Sequence, residues 1–75
     1  MTWNYRIIKH KRIDGGIYHA LHEVYYDAAG KPDKYTNDPV TFVAGSNPAE
    51  IVTSLASATN DAAAFPVLDV AEFDK

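Results

Sequence analysis

Residues 3–9 alternate along the chain, with Trp3, Tyr5 and Ile7 on one side and Asn4 and Arg6 on the other. A period of two is the mark of a half-buried strand. The pattern breaks at Asp14-Gly15-Gly16, where an Asp-Gly pair accepts the positive φ of a tight hairpin turn, so the chain is expected to reverse there. Residues 17–26 are rich in aromatic and branched side chains and give the strongest strand signal. One face would carry Tyr18, Ala20, His22, Val24 and Tyr26, the other Ile17, His19, Leu21, Glu23 and Tyr25. The first is the more apolar and is expected inward, unless a bulge changes the phase partway.

Asp27-Ala28-Ala29-Gly30 places Asp first and Gly fourth, as a type I turn prefers. Strand character resumes over residues 31–35, is interrupted at Thr36-Asn37-Asp38-Pro39 and returns over residues 40–44. Pro32 and Pro39 cannot donate to a ladder, which favours an edge or a break at each, so this reads as one interrupted third strand. Asn47-Pro48-Ala49-Glu50 is a helix start: Asn47 can cap, Pro48 suits the first helical position and Glu50 can bond back to the cap. Ile51, Leu55, Ala58 and Ala62 then recur at helical spacing, widened by Val52, and Pro66 stops the helix by Phe65. The tail over residues 67–73 is too apolar for a free end and is expected to add a short strand or lie across the core. The predicted fold is α+β, in the order β-β-β-α: a three-stranded antiparallel sheet with its third strand interrupted, then one helix and a short apolar C-terminal tail or strand. Trp3, Tyr5, Ile7, Val24, Phe42, Ile51 and Leu55 are expected to share one core.

Seventy-five residues fit a single domain, residues 1–75. A chain this short buries only about 60% of the surface its unfolded form exposes. With no cysteine, it has neither disulfides nor the commonest zinc chemistry to compensate, and this fits a reducing cytoplasm. What remains is aromatic packing and self-association. Six of the nine aromatic residues (Trp3, Tyr5, Tyr18, Tyr25, Tyr26 and Tyr35) lie in the first 35 positions and make that half the expected packing centre. No run approaches the roughly 20 apolar residues that span a bilayer, and Met1–Arg6 carries no signal-peptide stretch, so a cytoplasmic location is expected with no membrane partner. The net charge of −3 divides into +2 over residues 1–36 and −5 over residues 37–75, which bears on encounter with partners more than on fold.

The candidate chemistry is sparse. On a strand, His19 and His22 point to opposite faces and make poor joint ligands, so no metal is expected. His22-Glu23-Val24-Tyr25-Tyr26 begins like the zinc-protease H-E-x-x-H motif but lacks the second histidine and the helix. His22 beside Asp27 or Glu23 could form a carboxylate–imidazole pair for acid–base work. A sheet histidine bonded to a neighbouring tyrosine or carboxylate outweighs that reading, because a general base needs a cleft. There is no nucleophile elbow, phosphate-binding glycine loop or paired-carboxylate motif, so no catalytic residue and no cofactor is assigned. The basic run Lys9-His10-Lys11-Arg12, with Arg6, is the candidate nucleic-acid contact; the plain alternative is a solvated hairpin tip. Tyr18, His22, Tyr25 and Tyr26 form the candidate protein-interaction surface, since tyrosine offers both an apolar ring and a polar tip.

The segments Trp3-Asn4-Tyr5-Arg6-Ile7-Ile8-Lys9-His10, His22-Glu23-Val24-Tyr25-Tyr26-Asp27, Gly30-Lys31-Pro32 and Thr36-x-x-Pro39-Val40 resemble a family of short bacterial proteins of unknown function. The Pro48 helix start and Pro66-Val67-Leu68-Asp69 extend that resemblance, which implies no activity. The element order also resembles HicB-type antitoxin domains, which commonly carry an additional DNA-binding segment. The leading expectation is a non-catalytic protein-interaction module, self-associating through a sheet edge or an aromatic face. The alternative is a nucleic-acid-associated accessory protein using Arg6, Lys9, Lys11 and Arg12.

Overall fold

A computed structural model describes residues 2–40 and 47–73. Strands β1 (Trp3–Lys11) and β2 (Ile17–Tyr26) form an antiparallel hairpin in which Trp3 faces Tyr25 and Lys11 faces Ile17. The reversal is a three-residue loop. Gly15 N–H donates to Arg12 C=O (3.0 Å), Arg12 N–H donates to Gly16 C=O (2.7 Å), and Gly15 alone takes a positive φ, of 91°. Asp14 locks it by accepting from Gly16 N–H at 2.8 Å. This is the type I turn with a glycine bulge that suits the twist of the flanking strands.

A second turn of the same kind joins β2 to β3 (Pro32–Tyr35), with Gly30 at φ 80° and Asp27 Oδ1 accepting from Ala29 and Lys31 N–H. The β2–β3 register shifts between Tyr25 and Tyr26. Past Tyr35 the chain stays alongside β2 through Thr36 N–H to Glu23 C=O and Val40 N–H to Leu21 C=O, so the third strand is interrupted where the prolines predict. Its expected second half beyond Val40, including Phe42, lies outside the described residues.

Helix α1 (Pro48–Ala64) begins as predicted: the Asn47 side chain accepts from Glu50 N–H (3.1 Å), and Pro48 opens the first turn. Phe65 leaves the helix with extended backbone ahead of Pro66. The tail then pairs with the sheet. Strand β4 (Leu68–Asp69) lies parallel to β1, setting Ile8 against Leu68 and Lys9 against Asp69, and a 3₁₀ turn follows over Val70–Phe73. The sheet order is β3-β2-β1-β4, a mixed sheet of mostly antiparallel strands. Among the described residues no helix is long and apolar enough to cross a membrane.

The inward phase of β1 is the reverse of the one its apolar residues predict. Asn4, Arg6, Ile8 and His10 are buried, while Trp3 is 42% exposed and Tyr5 and Ile7 are half-buried. On β2 the expected face does turn inward, burying His22 and Val24. The physical reason lies in what covers each face. The tail brings Leu68, Val70 and Phe73 to the even-numbered face, where they pack with Ile8, Val24, Tyr26 and Tyr35. The other face meets α1, whose alanine-rich stripe leaves Ala58 as its buried residue, and there Leu55 remains 45% exposed. Fully burying a side chain such as Ile8 or Leu68 is worth about 1.5–3 kcal/mol, so the core sits under the tail. Trp3 and Leu55 do not belong to it.

Candidate functional site

The hairpin fixes which side chains meet. Pairing Arg6 with His22 and His10 with Tyr18 puts two histidines on one face, on either side of the Ile8–Ala20 row. Their Nε2 atoms stand 2.9 Å apart. His22 Nδ1 lies 2.9 Å from Thr36 C=O, which can only accept, so Nδ1 of His22 carries a proton. In neutral His22, Nε2 is therefore the acceptor, and His10 donates to it through its own Nε2–H. Aromatic rings enclose the pair: Tyr18 stacks on His10 (4.9 Å, 16°), and Tyr35 meets His22 edge-on at 5.1 Å. Burial pushes the His22 pKa below the usual histidine value; the neighbouring His10 adds to that, and the Thr36 carbonyl opposes it.

The two carboxylates that the sequence set beside His22 are engaged elsewhere, and the carboxylate acting on its ring is that of Asp38. Glu23 lies on the opposite face and accepts from the Tyr25 hydroxyl (3.1 Å), while Asp27 is committed to its turn amides. His19 is exposed on the face opposite His22, so the two do not converge. The His10–His22 pair is thus a buried hydrogen-bonded element of the core.

The four residues of the expected interaction surface are dispersed. Tyr18 (41% exposed) and Tyr25 (39%) lie on opposite faces, His22 is buried, and Tyr26 is half-buried with its hydroxyl donating to Asn4 Oδ1. Strand alternation causes this, because positions 18, 22 and 26 share the face that the tail closes, whereas position 25 does not. The basic group is also divided. Arg6 is 8% exposed and faces the interior, Lys9 pairs with Asp69 at 3.7 Å, and Arg12 rests over the Tyr18 ring at 5.8 Å. Lys11 and Arg12 alone project at the hairpin tip.

The outward face of β1 and β2 carries an apolar surface that no single sequence segment reveals. Trp3 packs edge-on against Tyr5 (5.2 Å, 83°) and lies opposite Tyr25 in the ladder. Beside them, Leu21 shares an open groove of about 470 Å³ with Leu55, Ala58, Thr59, Ala62 and Ala63 of α1. Val52, 64% exposed, extends the helix flank one turn before Leu55. Helical spacing pointed to Leu55, but only the tertiary placement of α1 shows that it borders a groove instead of filling a core.

The outer edge of β1 is partly occupied: β4 pairs at Ile8 and Lys9, and Tyr5 N–H donates to the Asp61 carboxylate at 3.0 Å. No protein-family model, curated protein or solved structure matches the chain.

Proposed function

We propose that the protein is a small interaction domain that self-associates through the outward face formed by Trp3, Tyr25, Leu21 and the Val52–Leu55 flank of α1. The carrying observation is the half-filled groove between Leu21 and α1, rimmed by exposed large apolar side chains. Exposed apolar surface of this kind marks association sites in soluble domains. A second copy is the favoured occupant for a stability reason. Among the described residues the buried apolar side chains are Ile8, Val24, Ala58 and Leu68, a small core for an isolated domain, and association supplies what such a core lacks. A two-fold arrangement would set the Val52–Leu55 ridge of one copy into the groove of the other, the isologous contact usual for homodimers. The face route is preferred to the edge route because β4 and Asp61 already use part of the β1 edge.

Sedimentation velocity over a wide concentration range tests the proposal. The expected result is a monomer–dimer equilibrium that Leu55→Glu abolishes without loss of helix signal, accompanied by a blue shift of Trp3 emission on association. A monomer at every concentration would refute it. If a gel shift with steep salt dependence were found instead, the nucleic-acid reading through Lys11 and Arg12 would replace it.

A further inference from the structure

Arg6 is the cation of β1 that the fold turns inward. Its Nε and Nη2 both donate to Pro66 C=O (3.3 and 2.9 Å), and Nη1 donates to the Tyr26 hydroxyl at 2.9 Å. The Phe65 ring lies 5.3 Å from the guanidinium carbon. Every one of these partners is neutral. Among the described residues no carboxylate stands within salt-bridge distance of Arg6. A buried guanidinium is ordinarily paired with an anion, because desolvating an unpaired charge costs several kcal/mol.

A guanidinium has five N–H donors, and the three bonds above leave one on Nη1 and one on Nη2. Pro66 C=O bridges Nε and Nη2, so the remaining Nη2 proton points along the edge shared with Nη1. Tyr26, having accepted from Arg6, passes its own proton to Asn4 Oδ1. Asn4 is 3% exposed, and its Nδ2 has no partner. The cluster thus holds surplus donors, one full positive charge and no acceptor to match them.

Space for an acceptor exists. Arg6, Tyr26, Gly30 and Phe65 line a cavity of about 340 Å³, at the small end of ligand sites. Gly30 adds no side chain, and a Cβ there would meet nothing within 4 Å. Phe65 and Tyr26 supply ring surface, so the pocket pairs one cation with apolar walls.

We propose that this pocket binds a small organic monocarboxylate, its two oxygens taken by Arg6 and its body lying against Phe65. A single negative charge neutralises the single guanidinium, whereas phosphate brings about −1.5 to −2 near neutral pH and would leave an excess in a pocket whose described lining residues hold no second cation. Planar carboxylate also matches the guanidinium fork, and an apolar wall favours an organic body over a hydrated inorganic ion. The site lies on the sheet face opposite the self-association surface and is independent of it.

The test is a titration of the intact protein followed by amide and Arg6 Nε–H NMR shifts, with benzoate, its neutral isostere benzamide, and inorganic phosphate as probes. Benzoate should give saturable shifts at Arg6, Phe65 and Gly30 in the millimolar range. Benzamide and phosphate should each bind about tenfold more weakly or worse. Arg6→Lys, which keeps the charge and loses the fork, should weaken benzoate by about tenfold. Because that variant could fail to fold, the unmodified protein carries the decision. Phosphate binding more tightly than benzoate, benzamide matching benzoate, no saturable shift, or shifts confined to surface lysines would each overturn the proposal.

Discussion

Two leucines, similar in the sequence, should behave very differently when truncated. Leu68 is 6% exposed and joins Ile8 and Val24 in the core, whereas Leu55 is 45% exposed at the rim of a groove. Leu68→Ala removes a buried isobutyl group and leaves a cavity, a change that costs about 2–5 kcal/mol. A domain of 75 residues has a total stability of roughly 4–11 kcal/mol at 0.05–0.15 kcal/mol per residue. The substitution therefore takes a large share of the margin. The upper end of the range is tempered by position, because β4 is two residues long and the tail can relax into part of the space.

Leu55→Ala loses about half of a burial worth 1.5–3 kcal/mol, so about 1 kcal/mol, and opens no cavity. Urea unfolding of both variants at low micromolar protein, where association is minimal, gives the comparison as midpoint shifts at constant slope. Leu68→Ala should lower the midpoint at least twice as far as Leu55→Ala. Equal losses, or a larger loss at Leu55, would place the core under α1 and refute the assignment of the tail-covered face as the interior. At high protein concentration the Leu55→Ala deficit should grow, since association stabilises only the copy that can dimerise.

Other substitutions probe the local devices. Asn47→Ala should cost about 1 kcal/mol by leaving the Glu50 amide uncapped, read by thermal melting; an unchanged melt would mean the cap bond carries no weight. Gly15→Ala should cost about 1–2 kcal/mol, since Gly15 sits at φ 91° where an L side chain is strained; an equal or higher urea midpoint would contradict that turn. Stability should also fall in mild acid. Because burial holds the folded-state pKa of His22 below its unfolded value near 6.5, the unfolded chain takes up the proton first. The stabilisation is therefore complete above about pH 6.5–7 and declines as pH drops toward the folded pKa. Urea midpoints that stay flat or rise between pH 7.5 and 5.5 would refute the buried neutral assignment.

Local signals carried the element order well, since each depends on chemistry within a few residues. The Asp14-Gly15 turn, the Asp27–Gly30 turn, the Asn47-Pro48 helix start, the Pro66 stop and the proline-broken third strand all fall where backbone preferences put them. The phase of β1 was not legible in this way. Trp3, Tyr5 and Ile7 outnumber Ile8 as apolar residues, so a count along β1 alone selects the wrong face. The deciding contributors, Leu68, Val70 and Phe73, lie about 60 residues away and act through a parallel pairing that no short-range pattern encodes. One clue was present. A three-residue loop centred on Asp14 makes the hairpin symmetric about that residue, which pairs Asn4 with Val24, Arg6 with His22 and His10 with Tyr18. With Val24 taken as inward, that symmetry carries the polar residues inward too.

Burying Asn4, Arg6, His10 and His22 is tolerable only because most of their polar atoms find partners in this one register. Arg6 needs Pro66 C=O and the Tyr26 hydroxyl, His22 needs Thr36 C=O, and His10 needs His22. Slipping β1 by one residue against β2 would turn Asn4, Arg6 and His10 toward the helix side, strip them of those bonds and leave His22 without His10. An apolar core would tolerate such a slip more easily, since dispersion contacts lack direction. The polar network therefore makes a domain with few buried apolar side chains specific as to pairing, at some expense in stability. The donors it leaves over, one N–H on each of Nη1 and Nη2 of Arg6 and the Asn4 Nδ2 group, are joined through Tyr26, which lines the cavity with Arg6 and Phe65. Register specificity accounts for the histidines and for Tyr26. It gives no reason for a surplus of donors in one place, and that surplus is what an anionic ligand would consume.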